Sequence, residues 1–111
     1  MARPPVGKFK TLQVARQQGE LARFRVVRGP DKGTTFVLFE PRATVGRGED
    51  STVTIADLKA SRLHAEITQV GGAWQVRDLG SANGVLINNK QSRNSVLRSG
   101  DLLTVGETVL E

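Results

Sequence analysis

The chain has 111 residues, 38% of them hydrophobic and 24% charged, with 16 Lys and Arg against 11 Asp and Glu and a net charge of +5. This length and composition predict one compact globular domain with a modest core. No apolar run approaches the roughly 18 residues that span a bilayer, and there is no cysteine, so a transmembrane span, a disulfide framework and thiolate chemistry are excluded. These features predict a cytoplasmic protein with no membrane partner.

The first twenty residues hold most of the excess positive charge, with four cations against one acid, Glu20. Prolines and glycines interrupt them and no hydrophobic period runs through them, so residues 1–20 are predicted to form a flexible basic tail. Residues 21–111 are close to electrically balanced, and the whole chain has only four Phe and one Trp. A nucleic-acid partner is therefore not expected, because bases would find no aromatic platform.

The first elements of the domain are two strands joined by a turn. Residues 21–28 (LARFRVVR) alternate, with Ala22, Phe24 and Val26 on one side. GPDKG at 29–33 has the residue types of a tight turn. TTFVLFE at 34–40 is β-branched and aromatic. Together they predict a β-hairpin.

Short strands continue to the end of the chain at near-regular spacing. Gly71–Gly72 predicts a two-residue hairpin turn of the primed type, and NKQ at 89–91 and GE at 106–107 predict further turns. No segment shows a helical face of ten residues or more. The remaining predicted strands are ATVG (43–46), VTIA (53–56), LHAEITQV (63–70), AWQVRDL (73–79), GVLIN (84–88), SVLR (95–98), DLLTV (101–105) and TVLE (108–111). The pattern predicts an all-β, two-sheet sandwich.

The alternation also predicts the core. Trp74 is placed there because it alternates in phase with Val76, rather than serving as a ligand platform. The predicted core residues are Phe24, Val26, Phe36, Leu38, Val45, Ile55, Ala65, Ile67, Trp74, Val76, Val85, Ile87, Leu97, Leu103 and Val105. Because the last predicted strand runs to the final residue, we expect the chain to be part of a longer protein.

Three loops carry the polar and glycine-rich chemistry: GRGED at 46–50, ASRLH at 60–64 and GSANG at 80–84. Each links consecutive strands, so they can converge at one end of a sandwich. They offer guanidinium groups, hydroxyls, a carboxamide and backbone N–H groups, with no acid at the centre. This set of groups suits a phosphate dianion attached to a peptide.

The only histidine, His64, lies three residues after Ser61, and this spacing raises a catalytic alternative. Asp57 or Asp78 could supply the carboxylate of a Ser–His–acid set, but there is no G-x-S-x-G elbow and no oxyanion loop. One histidine and no cysteine do not make a zinc site without three carboxylates. We therefore expect no enzyme activity, no metal and no cofactor.

The ordered series VGR, SRLHAEI, DLGSANGVLIN and LRSGDLLTVG resembles the forkhead-associated (FHA) domain, a phosphothreonine-binding module. The resemblance covers residues 21–111, and it implies an FHA/SMAD-like sandwich of about eleven short, mostly antiparallel strands. It implies that Arg47 contacts the phosphate, that Ser61 donates its hydroxyl to a phosphate oxygen, and that Arg62 assists. Asn83 would bind the peptide main chain beside the phosphothreonine.

Other residues are implied to shape the loops. Gly46 and Gly84 permit the loop backbones, and His64 braces the loop that aims Ser61 rather than touching the ligand. Asp78 is interpreted as a loop-fixing acceptor. Ser81 is a candidate ligand contact whose hydroxyl could equally brace its own loop.

The tail contains one hydroxyl residue, Thr11, in KFKTLQVA, and its basic neighbours suit a Ser/Thr kinase. We hypothesise that phosphorylated Thr11 docks on an FHA site, in the same molecule or a neighbour, because about ten extended residues reach roughly 33 Å. The partner would otherwise be another phosphothreonine protein. In bacteria such modules are often fused to effectors, including diguanylate cyclases. A phosphate-independent interaction scaffold and a basic nucleic-acid binder remain as alternatives.

Overall fold

The computed structural model describes residues 19–111, which form a sandwich of two sheets built from eleven strands. These residues contain no helix, and hence none that could cross a bilayer. The predicted tail and its phospho-acceptor Thr11 lie outside the described residues, apart from Gly19 and Glu20. The strands are β1 (Ala22–Arg28), β2 (Thr35–Leu38), β3 (Arg42–Gly46), β4 (Val53–Thr54), β5 (Ala65–Val70), β6 (Ala73–Asp78), β7 (Val85–Ile87), β8 (Lys90–Ser92), β9 (Asn94–Leu97), β10 (Leu103–Val105) and β11 (Thr108–Leu110).

One sheet has the strand order β2-β1-β11-β10-β7-β8, and the other has the order β4-β3-β5-β6-β9. All neighbouring strands are antiparallel except β3 and β4, which pair in parallel through Val45 and Val53. The predicted all-β sandwich of about eleven mostly antiparallel strands is confirmed. The predicted hairpin of β1 and β2 is confirmed as well, with Phe24 opposite Phe36.

Of two predicted turns, the one between β5 and β6 is confirmed and the one over residues 89–91 is wrong. Gly71 and Gly72 have φ values of 58° and 83°, so the primed turn between β5 and β6 is confirmed. The turn predicted over residues 89–91 is wrong, because Lys90–Ser92 is strand β8. The reversal lies instead at Asn88 and Asn89, whose φ values of 51° and 68° are ones that asparagine tolerates.

The core lies between the two sheets and matches the alternation closely. Eleven predicted core residues are buried, while Phe24, Phe36, Trp74 and Ile87 are partly buried and pack against the others. The prediction omitted Ala43, Val53, Ala60 and Leu110, all of which are buried. Leu110 is buried because β11 lies between β1 and β10 within its sheet.

The strand register defines two ends of the sandwich. Gly46, Ala65, Asp78 and Val85 lie at one end, which we call the site rim, where Val45 faces Ala65 and Ala65 faces Asp78. Leu38, Val70 and Leu97 lie at the other end, which we call the far rim. Strand β1 begins at the far rim, where Ala22 faces Leu38. The antiparallel strands thus bring all three predicted binding loops to the site rim.

Candidate functional site

The loops that follow β3 and β4 are joined by backbone hydrogen bonds. The N–H of Arg47 donates to the Ser61 carbonyl and the N–H of Gly48 donates to the Arg62 carbonyl, both at 3.0 Å. The hydroxyl of Ser51 also donates to the Arg62 carbonyl, at 2.8 Å. Residues 47 and 61, which are predicted to share one phosphate, are therefore held side by side.

Gly46 is required at this junction by space rather than by its φ angle. A Cβ added at position 46 would lie 2.2 Å from the Arg62 carbonyl oxygen and 2.8 Å from its carbon. Any side chain would push the loop that carries Ser61 away from β3. The predicted role of Gly46 in shaping the loop has this close approach as its physical basis.

The Arg47 side chain is exposed but anchored at its inner end. Its Nε–H donates to the Ala60 carbonyl at 3.1 Å, one residue before Ser61. Within residues 19–111, Arg47 forms no salt bridge. The two terminal nitrogens of the guanidinium form no hydrogen bond within residues 19–111 and keep their N–H donors.

His64 is completely buried and links two of the loops. The N–H of Ser61 donates to His64 Nδ1 at 3.0 Å, and Nε2 lies 2.6 Å from the Gly84 carbonyl. Since Nδ1 accepts this hydrogen bond, the ring N–H is at Nε2 and donates to the Gly84 carbonyl. Neither ring nitrogen is hydrogen-bonded to the Ser61 hydroxyl, so the pair is not arranged as a nucleophile and its base.

The Ser61 hydroxyl is oriented by the loop that follows β6. Its Oγ accepts a hydrogen bond from the N–H of Ala82 at 3.1 Å. With a lone pair occupied in this way, the hydroxyl proton remains to be donated. Ser61 can therefore give a hydrogen bond to an anion at the rim.

Ser81 and Asp78 hold that loop together from within. The Ser81 N–H donates to Asp78 Oδ1 at 2.9 Å, and Ser81 Oγ accepts from the Gly84 N–H at 2.9 Å. Partial burial acts to raise the pKa of Asp78, but hydrogen bonds from the Ser81 backbone and hydroxyl outweigh it and keep the pKa below its ordinary value. The side chains of Ser81 and Asp78 are both engaged inside the loop.

Asn83 is exposed and crosses to the loop that follows β4. Its Nδ2 donates to the Lys59 carbonyl at 2.7 Å. This bond fixes the plane of the carboxamide, whose oxygen and second N–H form no hydrogen bond within residues 19–111. Gly84, the next residue, has a φ of 79°, which residues with a side chain rarely adopt.

Asp57 is an organising residue of the rim that sequence reasoning considered only as a catalytic acid. It is 2% exposed and accepts from the Lys59 N–H at 2.9 Å, the Glu107 N–H at 2.8 Å and the Thr108 hydroxyl at 2.7 Å. Gly106 packs so closely that a Cβ there would lie 2.9 Å from the carboxylate. The i to i+2 bond to Lys59 is an Asx-turn, which an Asp directly after the predicted strand VTIA (53–56) could have indicated.

The exposed cations at the rim that have no carboxylate partner within residues 19–111 are Arg47 and Arg62. Lys59 pairs with Glu107 at 3.4 Å, and the carboxylates of Asp57 and Asp78 are engaged in hydrogen bonds. The exposed acids Glu49 and Asp50 lie in the loop after β3. Across residues 19–111, no three His, Asp or Glu side chains are grouped so that they could hold a metal ion.

Three carboxylates with lowered pKa values predict how stability depends on pH. Burial alone would raise the pKa values of Asp57, Asp78 and Glu66, but hydrogen bonds to all three, with Arg42 and Arg77 beside Glu66, hold them below the ordinary 3.8 and 4.5. Such groups stabilise the fold above their unfolded pKa, and the stabilisation is lost as the pH falls towards the folded pKa. We expect the free energy of unfolding in urea to be level above about pH 5 and to fall steadily below about pH 4.

Glu66 is suited to testing this pH dependence, because it lies on the outer face of its sheet and can be compared with Glu49, which is unpaired among the described residues. Its carboxylate accepts from Arg77 at 2.8 Å and pairs with Arg42. The variant Glu66→Gln should show a smaller fall in stability between pH 5 and 3 than Glu49→Gln, whose residue forms no salt bridge within residues 19–111. Equal falls in the two variants would contradict the assignment to Glu66.

The chain is similar in sequence to several known proteins. The family model described as the cytoplasmic domain of the inner membrane component of T3SS matches residues 25–111. The glycogen accumulation regulator GarA of Mycolicibacterium smegmatis is 40% identical over 82 residues, 74% of this chain and 52% of GarA. The FHA domain-containing protein FhaB of Mycobacterium tuberculosis is 36% identical over 103 residues, 91% of this chain and 66% of FhaB. The chain thus spans between half and two thirds of these curated relatives.

The fold has close counterparts among solved structures. One comes from a structural and functional analysis of phosphothreonine-dependent FHA domain interactions. It superposes with a TM-score of 0.72 and 30% sequence identity, covering 79% of this chain and 90% of that one.

Proposed function

The chain belongs to the forkhead-associated (FHA) family, as its ordered motifs predicted, and from this premise we propose that the site rim binds phosphothreonine within a peptide. The observation that carries the proposal is the joint placement of Arg47, Ser61 and Asn83. Hydrogen bonds between three loops hold these residues together, and each keeps donor groups for a ligand.

Arg47 and Ser61 supply the phosphate contacts. A phosphothreonine carries about −1.5 to −2 charges at pH 7, and each charge-assisted hydrogen bond contributes roughly 1.5–3 kcal/mol. The Nε–H of Arg47 is already bound to Ala60, so the guanidinium loses less freedom when an anion arrives. A few such bonds are sufficient for a complex of about micromolar affinity.

Arg62 and Ser81 have lesser roles in this proposal. Arg62 is exposed beside Ser61, and we assign it an auxiliary phosphate contact. Ser81 was a candidate ligand contact, but its hydroxyl accepts from Gly84 and bonds to Asp78. We therefore assign it to bracing the loop that carries Asn83.

Asn83 is assigned to the peptide main chain. Its free carboxamide oxygen accepts a backbone N–H and its second N–H donates to a backbone carbonyl, which suits an extended peptide. Because neither contact involves a peptide side chain, Asn83 adds affinity without selecting for a particular peptide sequence. Selectivity for the ligand comes from the phosphate and from the threonine that carries it.

The direct test compares phosphothreonine, phosphoserine and unmodified threonine in one degenerate peptide library. The family's preference for phosphothreonine implies a pocket for the γ-methyl, worth about 1–3 kcal/mol, so we expect phosphoserine to bind at least about tenfold more weakly. Equal binding of the unmodified library would instead identify a phosphate-independent scaffold. Steeply salt-dependent binding of DNA without peptide binding would identify a nucleic-acid binder.

We also propose that phosphorylated Thr11 in the chain's own tail is one ligand. Strand β1 starts at the far rim, so a tail docking in the same molecule runs back along the sandwich. Seven residues of β1 extend about 20 Å, and eleven residues from Thr11 to Ala22 reach up to about 36 Å, so this path is long enough.

Phosphorylating the full chain with a Ser/Thr kinase tests this docking. We expect a phosphorylated chain to lose affinity for a competing phosphothreonine peptide, while Thr11→Ala treated in the same way keeps it. A concentration-dependent increase in hydrodynamic size would place the docking between two molecules. Unchanged peptide affinity after complete phosphorylation of Thr11 would exclude the tail as a ligand.

Signalling would then pass from a kinase to this module and on to an effector. The relatives described above are named as a regulator of glycogen accumulation and as an FHA domain-containing protein. By analogy we propose a cytoplasmic regulatory role for this chain. An effector such as a diguanylate cyclase stays a prediction.

A further inference from the structure

The far rim contains a cleft that takes no part in the proposed phosphate site. It has a volume of about 460 Å³, and its apolar lining consists of Leu21, Ala22, Phe24, Trp74 and Leu97. Phe24 and Trp74 are only partly buried, although both pack against the core. The cleft therefore leaves aromatic surface open at the end of the sandwich opposite the binding loops.

Other exposed apolar side chains surround this end. Leu21 is 40% exposed, Phe39 is 60% exposed and Val70 is 62% exposed. Leu21 directly precedes β1, Phe39 directly follows β2, and Val70 is the last residue of β5, so all three lie at the far rim. Apolar surface grouped in this way is typical of a surface that another segment covers.

The segment that enters at this end is the tail. Residues 1–18 join the described chain at Gly19, and Leu21, two residues later, lines the cleft. The tail carries apolar residues at Phe9, Leu12 and Val14. Seven extended residues from Leu12 to Gly19 reach about 23 Å, which is ample for a cleft beside the attachment point.

The charges at the cleft are compatible with a basic segment. Arg23, the cation nearest the entry, is paired with Glu20 through two hydrogen bonds of 2.9 and 2.8 Å. Arg98, Asp101 and Glu111 also line the cleft, and Glu111 pairs with Arg25 at 3.7 Å. Hydrogen bonds from the Arg98 backbone and Asn88 hold the pKa of Asp101 below its ordinary value. Asp101 forms no salt bridge within residues 19–111, so it is the carboxylate that Lys8 or Lys10 of the tail would meet.

We propose that the unphosphorylated tail docks in this Trp74 cleft of its own molecule, with Phe9, Leu12 and Val14 against the aromatic surface. Thr11 then lies within the docked segment. A phosphate on Thr11 would carry about −1.5 to −2 charges into this largely apolar cleft, and the cost of removing them from water disfavours docking. Resting on the proposed function, the consequence is that phosphorylation moves the tail from the far rim to the site rim.

Trp74 reports on this docking because it is the only tryptophan in the chain. In the unphosphorylated full chain, we expect the triple variant Phe9→Ser, Leu12→Ser, Val14→Ser to show red-shifted tryptophan emission and stronger acrylamide quenching than the wild type. The matched control Gln13→Ser, Gln17→Ser, Gln18→Ser should behave as the wild type. Identical spectra for wild type and triple variant would overturn the proposal.

A spin label locates the tail directly. Since the chain has no cysteine, Lys10→Cys carries a single nitroxide. We expect broadening of the amide signals of residues 99–101 at the far rim, independent of protein concentration. Broadening that grows with concentration would assign the cleft to the tail of a second copy, and absence of broadening there would exclude docking; both overturn the proposal.

The measurement is repeated in an Arg47→Ala background, which separates this inference from the phosphate site. Docking at the cleft should persist in that background, because Arg47 lies at the site rim. Loss of the far-rim broadening on Arg47→Ala would contradict independent docking. Failure of phosphopeptide binding, by contrast, would leave the far-rim result unchanged.

Discussion

Replacing Arg47 by alanine is expected to weaken binding of a phosphothreonine peptide by roughly 100-fold, or about 3 kcal/mol. The guanidinium is anchored to Ala60 through Nε and has no acidic partner within residues 19–111. Its two terminal nitrogens are therefore available to donate hydrogen bonds to a bound anion. The affinity is measured by fluorescence polarisation with a labelled peptide. The affinity of Arg47→Lys should be intermediate, because lysine keeps the positive charge but lacks the paired N–H donors of the planar guanidinium.

The control for Arg47→Ala is Arg98→Ala, which removes the same charge from the exposed far rim. Its affinity should stay within about twofold of the wild type, because charges at that distance are largely screened at physiological salt. Arg47 is exposed, so thermal unfolding should show that both variants remain folded. A phosphopeptide that binds Arg47→Ala as tightly as it binds Arg98→Ala would remove the basis of the proposed site.

Replacing His64 by alanine is expected to lower the free energy of unfolding by roughly 3–5 kcal/mol and to impair peptide binding. The ring is fully buried, and its removal leaves a cavity together with the Ser61 N–H and the Gly84 carbonyl unpaired. Two of the three binding loops would lose their buried link and would be joined only by the exposed hydrogen bonds from Ala82 to Ser61 and from Asn83 to Lys59. Urea unfolding gives the stability, and peptide titration without urea gives the affinity.

The variant His64→Asn distinguishes the two connections made by the ring. Its side-chain oxygen can take the place of Nδ1 and accept from Ser61, whereas it does not reach Gly84. We expect a stability between those of the wild type and His64→Ala, with peptide affinity closer to the wild type. If His64→Ala lowers the free energy of unfolding by less than about 1 kcal/mol, the ring does not connect the loops as the structure indicates.

Most strands and most of the core were predictable from local pattern. Alternation in Ala22, Phe24 and Val26 reflects one buried face, and Gly71–Gly72 favours a primed turn whatever surrounds it. Strand β8 was missed because Lys90–Ser92 shows no apolar alternation, being an edge strand whose side chains are largely exposed. The burial of Ala43 and Ala60 was missed because small side chains carry little hydrophobic signal.

The sequence by itself determined the class of fold, the family and the loops that carry the candidate site, because these depend on residue types in order along the chain. Only the tertiary structure decided which polar groups are already hydrogen-bonded within the protein. Asp57 bonds to Thr108, 51 residues away, and Ser61 receives its hydrogen bond from Ala82, 21 residues away. Sheet topology creates such pairs, and no local pattern encodes which distant strand end will lie beside a given loop.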